Sequence, residues 1–124
     1  MEPGEAVRLA DKGDCFRIKA EVVVPEGATL VFNLRGFPVT LSSRTVDAGT
    51  SPCGLQGPVR NVEILVDRGS VETFANDGEF SCTRFFQPTE EGLILTAGGE
   101  DGVVIRSMVV HELKSMWKGS GGVR

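Results

Sequence analysis

The sequence predicts an all-β protein, a sandwich or a barrel of short antiparallel strands. Three observations predict it. Apolar residues recur with a period of two in several separate windows. Gly and Pro supply 22 of the 124 residues, 16 and 6 respectively, and they fall between those windows. No window shows apolar residues at helical spacing behind a capping residue. A chain of 124 residues is the size of one domain, and 40% hydrophobic with 24% charged residues is a globular composition.

Residues 1–14 are polar and read as a lead-in. From Cys15 to Val24 the chain alternates, with Phe16, Ile18, Ala20, Val22 and Val24 on one face and Arg17, Lys19 and Glu21 on the other. Pro25, Glu26 and Gly27 punctuate it. Thr29 to Arg35 alternates again around Leu30, Phe32 and Leu34, until Gly36 and Pro38 break the run. Ser42 to Gly57 is the least regular stretch and reads as a loop with one weak edge strand. A three-strand meander follows: Val62 to Asp67, a turn at Arg68-Gly69, Ser70 to Ala75, a turn at Asn76-Asp77-Gly78, then Glu79 to Gln87. Asp-Gly suits the positive φ angles of tight hairpins. Leu93 to Ala97 and Val103 to Leu113 are the last strands, and residues 118–124 read as a flexible tail.

Composition removes several functions. The formal charge is −4 with no block of like charge, which argues against a nucleic-acid surface. No apolar run is long enough to read as a bilayer-spanning helix, and Met1 to Asp14 lacks the apolar stretch of a signal peptide. Cys15, Cys53 and Cys82 form no C-x-x-C, and with His111 they lack the spacing of a zinc site. They read as buried, inert thiols. Glu100 and Asp101 on a Gly-rich turn fall short of the six to eight oxygens calcium takes, so no metal or cofactor is expected.

Two separated motifs carry a resemblance. VEILVDRGSVETFANDG, Val62 to Gly78, resembles the LRIFVDRSSVEVFANDG segment in the C-terminal β-sandwich of glycoside hydrolase family 32, the invertases, levanases and inulinases. Asp67, Arg68, Ser70, Val71, Glu72, Phe74, Asn76 and Gly78 match it position by position, while Gly69 stands for a usual serine and Thr73 for a usual valine. VVIRSMVVHELKSMW, Val103 to Trp117, is similar to the family's closing strand. The resemblance spans residues 15–117. It implies an antiparallel two-sheet β-sandwich, lectin-like, of the concanavalin-like jelly-roll kind. It also implies a five-bladed propeller as partner, in which the family's catalytic carboxylates lie within motifs such as W-M-N-D-P-N-G, R-D-P and E-C. None of these motifs occurs here, so no catalytic residue is carried over, and the expectation is a non-catalytic module of a parent acting on fructans or sucrose, whose compartment the sequence leaves open, secreted or periplasmic being among the options.

Candidate site residues follow from both readings. Asp67 and Glu72 flank the Arg68-Gly69 turn as diagonal neighbours, with Arg68 at hand to neutralise them. They suit a structural role better than a hydrolytic dyad. Leu65 and Phe74 emerge among Glu63, Asp67 and Glu72 on the face opposite Val62, Ile64, Val66, Val71 and Ala75. A solvated sheet face is ordinarily polar, so this mixture suits docking to a domain or to a second copy. Leu65, Asp67, Arg68, Ser70, Glu72, Phe74, Asn76 and Gly78 are therefore the expected interdomain interface. The alternative is a free-standing lectin-like module for fructan or another glycan, with Trp117 and His111 as candidate sugar contacts. The shortage of aromatics, one Trp, no Tyr and seven Phe, argues against it.

Overall fold

The computed structural model describes residues 1–49 and 51–113. Eleven strands form two antiparallel sheets among these residues. The first sheet contains β1 (Ala6–Ala10), β3 (Ala28–Leu34), β4 (Phe37–Leu41), β5 (Thr45–Asp47), β6 (Cys53–Gly54) and β10 (Leu93–Gly99), in the order β1-β10-β3-β4-β5-β6. The second contains β2 (Phe16–Val23), β7 (Asn61–Val66), β8 (Ser70–Ala75), β9 (Phe80–Phe85) and β11 (Val104–Glu112), in the order β11-β2-β7-β8-β9.

Alternation builds the core. Phe16, Ile18, Ala20 and Val22 of β2 are buried while the residues between them are exposed. β3 presents Leu30, Phe32 and Leu34 from the opposite sheet, and Leu41, Val46, Leu93 and Leu95 complete its inner face. Each large side chain removed from water in this way contributes about 1.5–3 kcal/mol. The meander is present as expected, with Val66 opposite Val71 and Ala75 opposite Phe80.

The structure corrects the strand assignment in three places. The lead-in holds β1, which pairs with β10 and reaches Leu93 through a register shift between Arg8 and Ala10. The irregular stretch holds two short strands, β5 and β6, rather than one. Pro38 does not end the sheet but sits inside β4, opposite Asn33. Arg35 and Gly36 adopt φ angles of 55° and 98°, so a two-residue turn joins β3 to β4. The pair closing such a turn exchanges the hydrogen bonds, so the next residue, Pro38, points its nitrogen away from β3. On β4, β5 reaches only Thr40 and Leu41, so no ladder bond is lost at Pro38.

Candidate functional site

The outer face of the second sheet carries most of the candidate residues. β7 pairs with β8 so that Leu65 lies opposite Glu72 and Glu63 opposite Phe74. On the flanking strand β2, Arg17 lies opposite Leu65 and Lys19 opposite Glu63. One row across the sheet thus reads His111, Arg17, Leu65, Glu72, Thr83, and the next reads Val109, Lys19, Glu63, Phe74, Ser81. Leu65 and Phe74 are half-buried in these rows, not fully exposed. Arg17 Nε donates to Glu63 Oε2 at 2.7 Å, a cross-strand ion pair open to solvent.

The turn end of the hairpin is a charged cluster. The Asp67 amide donates to the Ser70 carbonyl at 2.8 Å and closes the turn. The Asp67 carboxylate Oδ1 accepts from the Arg68 amide at 2.7 Å and from the Cys15 thiol at 3.2 Å. The Arg68 amide chiefly, with the Cys15 thiol after it, holds the Asp67 carboxyl below the ordinary carboxylate range. Burial first, then the hydrogen bond to Asp67, pushes the Cys15 thiol up. The Arg68 charge also favours the Asp67 carboxylate, as expected, but its ion pair is made elsewhere. The guanidinium reaches Asp14 at 3.5 Å, and Arg35 meets the same carboxylate at 3.6 Å. Glu72 instead accepts from the Thr83 hydroxyl at 3.4 Å.

The other end is built differently. Asn76, Asp77 and Gly78 take φ angles of 51°, 58° and 97°, the left-handed turn that Asn, Asp and Gly tolerate. Asn76 is only 4% exposed, which corrects its expected place on a docking surface. Its Oδ1 accepts from the Arg60 amide at 2.7 Å and its Nδ2 donates to the Pro58 carbonyl at 2.9 Å. Asn76 clips the approach to β7 onto the β8–β9 turn. Gly78, by contrast, stands exposed beside it.

Beside this clip the outer face dips into a shallow depression of about 720 Å³, lined by Lys19, Glu21, Asn61, Glu63, Phe74 and Ser107 among others. His111 is exposed on the same face but does not line it. Trp117 and the tail at 118–124 lie outside the described residues. The thiols are not the buried set expected from composition. Cys53 is exposed, and Cys15 and Cys82 are half-buried. No group of three or more His, Cys, Asp or Glu side chains among the described residues is arranged to hold a metal ion.

Residues 15–112 match the family described as Glycosyl hydrolases family 32 C terminal. The chain belongs to this family. A levanase from Bacillus subtilis strain 168 is 28% identical over 140 residues, a match that covers 90% of this chain and 20% of the levanase. An exo-inulinase from Aspergillus awamori superposes with a TM-score of 0.69 at 18% identity, over 94% of this chain and 28% of that one. The chain therefore spans only a fifth to a little over a quarter of these relatives. Sheep galectin-11 superposes at a TM-score of 0.57 and 15% identity over 99% of its own length, which marks the architecture as a lectin-like sandwich.

Within this family 32 C-terminal domain, Asp67 is committed to the hairpin turn, where the Arg68 amide chiefly holds its carboxyl below the ordinary carboxylate range. Its hydrogen bonds go to its own turn and to Cys15 beside the start of β2, both of them open to solvent.

Proposed function

We propose that this chain is the non-catalytic β-sandwich module of a levanase- or invertase-like β-fructosidase, and that it packs on and steadies a catalytic propeller. The observation that carries this reading is the family match over residues 15–112 in a stretch equivalent to 20% of the related levanase. Leu65 and Phe74 supply the apolar part of the docking face, and Arg17, Glu63 and Glu72 surround them with charge. A modest interdomain contact has this mixed character. The test is the double substitution Leu65→Ser, Phe74→Ser, made in this chain and in a chain that joins it to a family 32 propeller. The half-buried positions should cost the isolated sandwich roughly 1 kcal/mol, a surface-scale loss. The joined protein should lose its shared unfolding transition and unfold as two units. Loss of several kcal/mol in the isolated sandwich, as core truncation produces, would place these residues in the interior and sink the docking face. The chain alone should release no fructose from sucrose, levan or inulin. Activity abolished by Asp67→Asn or Glu72→Gln would reverse that.

A second reading is favoured by the depression beside Phe74. Lys19, Asn61 and Ser107 offer donors there, Glu21 and Glu63 offer acceptors, and Phe74 offers an apolar face. Converging polar groups beside an aromatic ring suit a neutral polyol such as a fructan. Calorimetric titration of the chain with levan and inulin separates the readings. Heat that vanishes in Phe74→Ala supports glycan binding, and its absence leaves this face to the propeller.

A further inference from the structure

Four strands bound the two sheets: β1, β6, β9 and β11. An edge strand presents a row of unpaired backbone groups, and proteins blunt such edges with brevity, bulges or charge. Three of the four are blunted. β6 is two residues long. β1 is broken by its register shift and carries Arg8. β11 has a register shift between Ile105 and Ser107, and exposes Arg106, His111 and Glu112.

β9 is the least blunted of the four. It runs six residues, Phe80–Phe85, without proline and in unbroken register with β8. Its single charged side chain, Arg84, is on the core-facing side, opposite Val71, and its Nη1 donates to the edge at the Thr83 carbonyl, at a long 3.5 Å. The Phe86 amide donates to the Gly69 carbonyl at 3.0 Å, which fixes the phase of the ladder. Even-numbered residues of β9 therefore bond to β8, and Ser81, Thr83 and Phe85 direct their N–H and C=O groups outward. No backbone partner for these three occurs among the described residues. Phe85 is also 84% exposed, the most exposed large apolar side chain among the described residues. Its neighbour Phe86 is already used, packed on Phe37 with ring centroids 5.3 Å apart.

We propose that β9 is the seam of a two-fold homodimer, in which the β9 strands of two copies pair antiparallel and join the second sheets into one. Two-fold symmetry makes the contact self-complementary and closed. The register follows from the side chains. Opposed residues must share a face, because a slip of one residue reverses every side chain. Centring the axis on Thr83 places Thr83 against the other copy's Thr83, Ser81 against Phe85, and Cys82 against Arg84. Every outward backbone group of Ser81, Thr83 and Phe85 then finds a backbone partner, the Thr83 carbonyl exchanging its 3.5 Å contact with Arg84 for the other copy's amide. The next register one way would set Arg84 against Arg84. The next the other way would carry Phe85 past Ser81 to the turn at Glu79. With Thr83 central, Phe85 of each copy lies over the small Ser81 of the other, and Phe74 is the next residue in that row. The otherwise solvated ring thus meets a second phenylalanine across a serine-wide gap.

Sedimentation of this chain alone, across a concentration series, tests the seam independently of any propeller. The wild-type chain should reach twice the monomer mass, and Thr83→Pro should halve it. Proline is tolerated on an open edge because the N–H it removes faces away from β8. Thr83→Lys preserves the backbone and sets two like charges opposite each other, so it should halve the mass too. Circular dichroism should show both variants folded. Thr83→Cys in a background with Cys53 and Cys82 changed to Ser should cross-link under mild oxidation, since opposed residues at the axis lie within disulfide reach. A wild-type chain that remains monomeric at millimolar concentration overturns the proposal. So does a dimer that survives Thr83→Lys combined with Phe85→Ser, or one in which Thr83→Cys fails to cross-link.

Discussion

The two ends of the β7–β8 hairpin hold one short motif in place by opposite means. At the Asp67–Ser70 end the contacts are ionic and wet. Arg68 and Asp14 meet at 3.5 Å with both side chains more than half exposed. At the Asn76 end one neutral side chain, nearly out of contact with water, satisfies backbone groups of Arg60, Asn61 and Pro58. Exposed ion pairs contribute about 0–1 kcal/mol. A buried polar group left without its partner costs about 1–3 kcal/mol. The hairpin is therefore anchored at its Asn76 end and merely decorated at its Asp67 end.

The largest effect expected is at Asn76. Asn76→Ala removes the three bonds of the clip and puts a Cβ-bearing residue without a local hydrogen bond at φ 51°. Part-buried backbone groups of Arg60, Asn61 and Pro58 lose their partner and the buried turn is strained, so unfolding free energy should fall by about 3 kcal/mol in urea titration. Asn76→Gly sharpens the cause. It loses the same bonds but relieves the backbone, and should recover roughly 1 kcal/mol of the loss. If Gly and Ala cost the same, strain has no part in it. If neither costs more than a surface substitution, the comparison of the two ends is wrong.

Midway between the ends, Thr73 faces the core, fully buried, and its hydroxyl has no hydrogen-bond partner. This is the position where the family resemblance leads one to expect valine. Thr73→Val keeps the shape and removes the orphaned hydroxyl, so it should stabilise the chain by about 1 kcal/mol. A loss of stability would mean the hydroxyl is satisfied in solution, for instance by a trapped water.

Arg68→Ala tests the decorated end. It removes the exposed pair with Asp14 and should change stability by less than about 0.5 kcal/mol. A cost comparable to that of Asn76→Ala would show that Arg68, Asp14 and Arg35 act as a network, not as separate surface pairs.

The legibility of the sequence follows the same division. Strands with a buried and a solvated face were readable, because β2, β3, β7 and β8 alternate residue by residue. β4 was hidden by Pro38, whose harmlessness depends on which way its nitrogen points. β1 was hidden by its exposure, since an edge strand with few buried residues has no alternation to read. The faces of Leu65 and Phe74 were legible from phase alone. The role of Asn76 was not, because a motif match records identity and says nothing of burial. Its only sequence signal is the Asn-Asp-Gly turn, which asks for positive φ and leaves the partner of the side chain unspecified. The open edge of β9 was likewise invisible, since the strand order that makes it an edge is set by long-range pairing.

The smallest effect concerns Asp67 and Cys15, and its sign can be worked out. The Asp67 carboxyl is held down, first by the Arg68 amide and then by the Cys15 thiol. The stability this contributes is present above the unfolded carboxyl value, 3.8, and is lost as pH falls through the lower folded value. Cys15 is shifted the other way, by burial first and then by its bond to Asp67. Its contribution is present below the unfolded thiol value, 9.0, and is lost as pH rises through the higher folded one. Between those limits the difference in stability between the wild type and Asp67→Asn should be flat, and it should narrow on the acid side. Thiol reactivity gives a more sensitive reading than stability. Only the thiolate is alkylated, so a raised thiol value slows Cys15 at neutral pH. Asp67→Asn removes the carboxylate that favours the protonated thiol, and iodoacetamide should then modify Cys15 several-fold faster. Cys53, exposed and remote from Asp67, serves as the internal standard. An unchanged ratio of Cys15 to Cys53 labelling would mean that burial alone sets the Cys15 thiol, and that the Cys15–Asp67 contact is a neighbour relation without electrostatic weight.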